Sequence, residues 1–112
     1  MTKVDRALAL GNAQIALANI TNPELLAKGV RTSLQWFADQ NPGRAVEVRV
    51  PPFLAVQILG GTTHRRGTPP AVVEMSPNTW LELFTKKPTW EEAVARGKIA
   101  ASGERSDLSE LL

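Results

Sequence analysis

The sequence of 112 residues has no cysteine, no tyrosine and a single histidine, His64. The missing cysteine removes disulfides, thiol nucleophiles, thiolate-bound zinc and iron–sulfur clusters together. One histidine leaves no His-rich metal site within a chain. A Ser/His/Asp triad would have to use His64, and no G-x-S-x-G elbow presents a serine. Gly60-Gly61 reads as a turn, because no G-x-x-x-x-G-K-S/T phosphate cradle accompanies it. No run approaches the ~18 apolar residues of a membrane span. The opening MTKVDRALALGNAQ lacks the apolar stretch and cleavage site of a signal peptide. No spacing sets two carboxylates on one face beside an apolar wall. The expectation is a cytoplasmic protein that is not an enzyme and needs no metal or cofactor.

Net charge is also scarce. Thirteen Lys and Arg against eleven Asp and Glu leave +2. The isoelectric point of about 9.4 overstates this excess, since almost nothing titrates between the carboxylates and the lysines. It is no sign of nucleic-acid binding. What is present, 43% hydrophobic and 21% charged residues, is the composition of a folded domain. A single domain over residues 1–112 is expected, with residues 1–22 forming a peripheral N-terminal helix.

Periodicity predicts the order α-α-β-β-β-α-α-β-α. Lys3 to about Asn19 is rich in good helix formers, with Val4, Leu8, Gly11, Ile15 and Ala18 on one apolar stripe. The small side chains predict close approach to a neighbour. Asn22-Pro23-Glu24 starts a second helix to about Gln40. Its apolar stripe is Leu26, Val30, Leu34 and Phe37, widened by Leu25, Ser33 and Trp36, with Lys28, Gln35 and Asp39 opposite. The period then changes to two at Val46, Val48 and Val50, a half-buried strand ended by Pro51-Pro52, a candidate cis peptide. Phe53–Leu59 and Ala71–Met75 read as two more strands, separated by the polar loop GGTTHRRGTPP.

Ser76 caps the next helix, with Pro77 at its first position and Met75 placed to staple onto Trp80. Trp80, Leu81 and Phe84 are expected to face inward, and Lys86 and Lys87 suit the negative end of the helix dipole. Thr89-Trp90-Glu91-Glu92 is a capping box that opens a short helix ending at Gly97. Lys98–Gly103 reads as a fourth strand. Ser106 or Asp107 caps a last turn carrying Leu108, Leu111 and Leu112. The fold class is α+β: a small, mainly antiparallel sheet of four to five strands covered by helices. The connection between the third and fourth strands is long enough for a crossover, which makes them parallel if they share a sheet.

The stretch TPPAVVEMSPNTWLELFTKKPTWEEAVARGKIAASGERSDLSELL resembles the C-terminal half of a sterol-carrier-protein-like domain. The shared features are a Trp-bearing helix, a second helix with Trp and small residues, G-K-I-x-x-S-G, and a Leu-rich end. VEVRVPPFLAVQILGG and HRRGTPP are similar to the small stand-alone actinobacterial branch of that family. Together these cover about Pro23 to Leu112. The resemblance implies an apolar tunnel between sheet and helices that holds a fatty acyl chain, sterol or similar lipid. It also implies kinship with an accessory domain of mycothiol-dependent enzymes. Sterol carriers usually have five strands, against the four read here.

The resemblance nominates Phe37, Val48, Phe53, Val56, Ile58, Trp80 and Phe84 as ligand-lining residues. The alternative is that these side chains, and with them Trp36 and Trp90, the remaining aromatics, are ordinary core. His64-Arg65-Arg66 is the basic cluster. Arg65 or Arg66 would fix an anionic head group at a pocket mouth, or touch an anionic membrane surface peripherally, or form a solvated loop. No aromatics interleave with it for base stacking, so no nucleic-acid partner is expected. Glu47–Arg49, Arg66–Glu74 and Arg105–Asp107 read as structural ion pairs, with Asp107 also a cap. The partners expected are a small hydrophobic ligand or a packed interface with another protein, in a monomer or homodimer.

Overall fold

The computed structural model describes residues 5–60, 71–86, 88–103 and 106–112. Two helices open the chain, α1 (Arg6–Ala18) and α2 (Pro23–Gln40). Three strands follow: β1 (Val46–Val50), β2 (Leu54–Ile58) and β3 (Ala71–Met75). Helices α3 (Pro77–Phe84) and α4 (Trp90–Ala95) precede β4 (Ile99–Ser102). The fold is α+β, a four-stranded sheet covered by helices, as the periodicity predicts.

Side-chain chemistry sets the helix starts where expected. Asn22 Oδ1 accepts from the Glu24 and Leu25 amides at 3.1 Å each, with Pro23 in the first turn. Ser76 Oγ accepts from the Thr79 amide at 3.2 Å. Thr89 and Glu92 exchange two 3.1 Å bonds as a reciprocal capping box. α1 starts later than the expected Lys3, because Asp5 caps it by accepting from the Leu8 amide at 2.7 Å. The Pro51–Pro52 peptide is cis. The C-terminal segment is a turn in which the Leu111 amide donates to the Leu108 carbonyl, and it forms no helix.

The sheet order is β2-β1-β3-β4. β1 pairs antiparallel with β2 and parallel with β3, and β3 pairs antiparallel with β4. The expected parallel pairing of the third and fourth strands is therefore wrong. A single crossover helix returns the chain in its starting sense. Here the connection contains two helices, and the second adds a reversal.

One sheet face is the core. Val46, Val48, Val50, Ile58, Val73 and Met75 are buried on it, beneath Val30, Leu34 and Phe37 of α2 and Trp80, Leu81 and Leu83 of α3. Arg49, Ala55, Gln57, Glu74 and Ala100 alternate onto the opposite, exposed face. There Glu47 and Arg49 form the expected ion pair at 2.6 Å.

α1 corrects a second expectation. Its buried residues are Ala9, Ala13 and Ala16, while Leu8 and Ile15 of the expected stripe stand 50% and 48% exposed. The cause is the partner surface. α2 presents Gly29, where an added Cβ would collide with the Ala16 Cβ and come within 2.8 Å of the Asn12 carbonyl oxygen. Only the alanine side of α1 fits so close an approach. Close approach was expected; the face that makes it was not.

Candidate functional site

The seven apolar residues nominated from the sequence come together in one cluster between sheet and helices. Phe37 comes from α2, Trp80 and Phe84 from successive turns of α3, Val48 from β1, and Val56 and Ile58 from β2, while Phe53 lies in the β1–β2 turn. Val48 sits directly opposite Val56 across the antiparallel ladder and Val46 opposite Ile58, which aligns these side chains on one face.

Aromatic rings join the two helices. Phe37 meets Trp80 edge-on at 5.2 Å, Trp80 lies 5.6 Å from Phe84, and Phe84 meets Trp36 edge-on at 5.9 Å. The indole Nε1 of Trp80 donates at 2.8 Å to Ser33 Oγ, whose own hydroxyl donates to the Gly29 carbonyl at 2.6 Å. Periodicity gives Ser33 only a place on the widened apolar stripe of α2. Its pairing with Trp80 had one signal in the sequence: a hydroxyl on the inward face of a helix, which needs a partner once buried. Every buried polar side-chain atom among the described residues has one.

Exposure grades across the cluster. Val48, Ile58 and Trp80 are fully buried and Phe37 nearly so. Phe53, Leu54, Val56 and Phe84 are half-buried and pack against the others as a rim. Val56 also lines a shallow, open cleft with Ala38, Asp39, Pro42, Gly43 and Gln57, where the end of α2 meets edge strand β2. A second open depression, lined by Pro23, Glu24, Ala27, Lys28, Arg31 and Thr32, lies on the N-terminal half of α2. Beside the first cleft the chain crosses itself tightly. The Leu59 amide donates to the Asn41 carbonyl at 2.9 Å, and Leu59 holds a left-handed φ of 66°. A Cβ on Gly43 would strike the Leu59–Gly60 backbone.

The site is apolar in its chemistry. Among the described residues its buried polar groups are the hydroxyls of Ser33 and Thr79 and the indole N–H of Trp80. Among the described residues two surface carboxyls are held below their ordinary values, one in the capping box of α4 and one in the C-terminal turn. The Thr89 amide and hydroxyl lower Glu92, and the Ser109 amide and hydroxyl lower Asp107. Among the described residues no group of His, Asp and Glu is placed to hold a metal ion, and no helix is long and apolar enough to cross a membrane. Arg65 and Arg66, nominated for a head group, lie outside the described residues. So do His64, Lys87 and Arg105, and with them the expected Arg66–Glu74 and Arg105–Asp107 pairs.

No curated protein matches the chain. A family model described as bacterial SCP ortholog matches residues 22–112, which takes in α2, the whole sheet and both helices that follow β3, and leaves α1 outside. With that match over most of its length, the chain belongs to the family of bacterial sterol carrier protein (SCP) orthologs.

Proposed function

We propose that this domain is a non-catalytic carrier that holds an apolar or acyl-chain ligand between its sheet and its helices. The supporting observation is the graded apolar cluster within the family-matched region. A fully buried floor of Val48, Ile58 and Trp80 continues into a half-buried rim of Phe53, Val56 and Phe84, and Val56 reaches the open cleft at the β2 edge. A chain laid along that rim gains roughly 0.8 kcal/mol for each methylene it buries. The ligand is a small hydrophobic molecule, and a sterol has no special standing. Arg65 or Arg66, between β2 and β3 in sequence, would pair with its anionic head group.

A second reading is a packed interaction module without a cavity, such as an accessory to a mycothiol-dependent enzyme. It is favoured by the full burial of Trp80, Leu34 and Ile58, since closely packed interiors leave few gaps.

Native mass spectrometry of the protein purified from its own host, followed by organic extraction and challenge with a fluorescent fatty acid, separates the two. The carrier reading expects an extractable adduct and probe uptake. It also expects that Val56→Trp, which fills the rim, reduces uptake without lowering Tm. A bare polypeptide mass with no uptake overturns it and leaves the packed module.

A further inference from the structure

We infer that the outward face of α1 is a self-association surface, on which a second copy of this chain lays its own α1 antiparallel across a two-fold axis. The inference stands apart from the ligand reading, because α1 precedes the family-matched region. α1 packs inward through Ala9, Ala13 and Ala16. That leaves Leu8, Gly11, Ile15 and Ala18 outward, at steps of three, four and three residues. This is the spacing of a coiled-coil seam, which the described residues of a single copy leave uncovered. Leu8 and Ile15 are 50% and 48% exposed, and Ile20, just past the helix, is 48% exposed.

Gly11 points to what covers the seam. A glycine inside a helix costs about 1 kcal/mol relative to alanine, and something must require it. Gly29 is required by the close approach of α1. A Cβ on Gly11 would meet nothing within 4 Å among the described residues, so no contact with them requires it. A helix approaching from outside would.

The pairing partner follows from size and charge. In an antiparallel pair, Leu8 of one copy falls opposite Ala18 of the other and Gly11 opposite Ile15, so each large side chain meets a small one. A parallel pair would stack Leu8 on Leu8 and leave a hole between the two Gly11 positions. From Ala7 to Pro23 the chain carries no charge. Two such faces meet without repulsion, whereas helices that lie on anionic membranes are rich in Lys and Arg. The last turn of α1 lacks a basic residue. The antiparallel arrangement brings Arg6 of the second copy to that end, where the helix dipole favours a cation.

Sedimentation velocity of the whole chain tests this from about 1 μM to about 1 mM, the range in which a small interface titrates. A concentration-dependent dimer is expected, with Ile15→Lys raising its Kd at least tenfold while the dilute protein keeps its Tm and circular dichroism. The chain lacks cysteine, so single-cysteine variants report the geometry. Under mild oxidation an equimolar mixture of Leu8→Cys and Ala18→Cys chains is expected to cross-link as mixed dimers in preference to either alone. A monomer throughout the range overturns the inference, as does a dimer indifferent to Ile15→Lys or Leu8→Cys chains that preferentially link to themselves. A monomer that binds neutral phosphatidylcholine vesicles through Leu8 and Ile15 overturns it too, and assigns the face to lipid.

Discussion

Trp80 and Ser33 are hydrogen-bonded across 47 residues of chain, indole Nε1 to hydroxyl at 2.8 Å, with both residues fully buried. The bond ties α3 to α2 at the centre of the ring cluster. Ser33→Ala removes the acceptor and leaves a buried N–H unpaired, a loss of about 1–3 kcal/mol. In a Trp80→Phe background the same change is expected to cost less, because no indole N–H is left there to be unpaired. Urea unfolding of the four proteins of this cycle measures the coupling. Equal losses in both backgrounds would show that the bond contributes nothing.

Gly29→Ala tests the contact between the first two helices. The new methyl meets the Ala16 Cβ and the Asn12 carbonyl, neither of which is a flexible tip. A destabilisation of about 1–3 kcal/mol is expected from such overpacking. Adding Ala16→Gly should restore part of it, since the Asn12 backbone still obstructs. Thermal melts of the single and double variants give the answer.

Lys86 sits just past the end of α3 with a φ of 62°, its amide donating to the Leu83 carbonyl at 3.0 Å. A left-handed residue there ends the helix, and glycine adopts that conformation without the steric cost lysine bears. Lys86→Gly should therefore stabilise the fold by about 1 kcal/mol, read as an increase in urea midpoint at unchanged slope. A lower midpoint would mean that the cation does more for the dipole than the backbone loses.

The capping box predicts a pH response. Hydrogen bonds from Thr89, the backbone one first, hold the Glu92 carboxyl below its ordinary range. A carboxyl lowered in the folded state stabilises it above the unfolded value, and that contribution is lost as pH falls through the carboxylate range. Asp107 works in the same direction through Ser109. Glu92→Gln keeps an acceptor without the charge. Its Tm should fall less steeply than the parent's on acidification from neutral pH, and parallel profiles would contradict the assignment.

The helix starts were legible because side-chain chemistry marks them: Asn22-Pro23, Ser76-Pro77 and the Thr89–Glu92 box each satisfy amides that would otherwise lack partners. Strand positions were legible in Val46, Val48 and Val50, whose alternation needs no partner to be seen. The sense of the β3–β4 pair was not, because it depends on how two intervening helices turn. The buried face of α1 misled because amphipathic reading rewards large side chains, whereas contact at Gly29 rewards small ones. For the candidate site, the apolar residues and their convergence were readable from Phe37 to Phe84. The division into sealed floor and half-open rim was not, because exposure is decided by neighbours such as Asp39 and Gly43 that carry no apolar signal.

The strand order has a consequence for how the molecule coheres. Residues 5–60 supply α1, α2, β1 and β2, and residues 71–112 supply β3, α3, α4 and β4. These two pieces, each continuous in sequence, meet along a seam that includes the β1–β3 ladder, the Trp and Phe rings, the Ser33–Trp80 bond and the contact of α1 with α3. Cleavage between Gly60 and Ala71 would divide the protein along that seam and leave every other strand pair and the α1–α2 contact within a single fragment. A molecule laid along the rim from Phe53 and Val56 to Phe84 would touch both fragments at once. It would act as an adhesive between them, so its occupancy would be reported by how tightly a cut protein holds together.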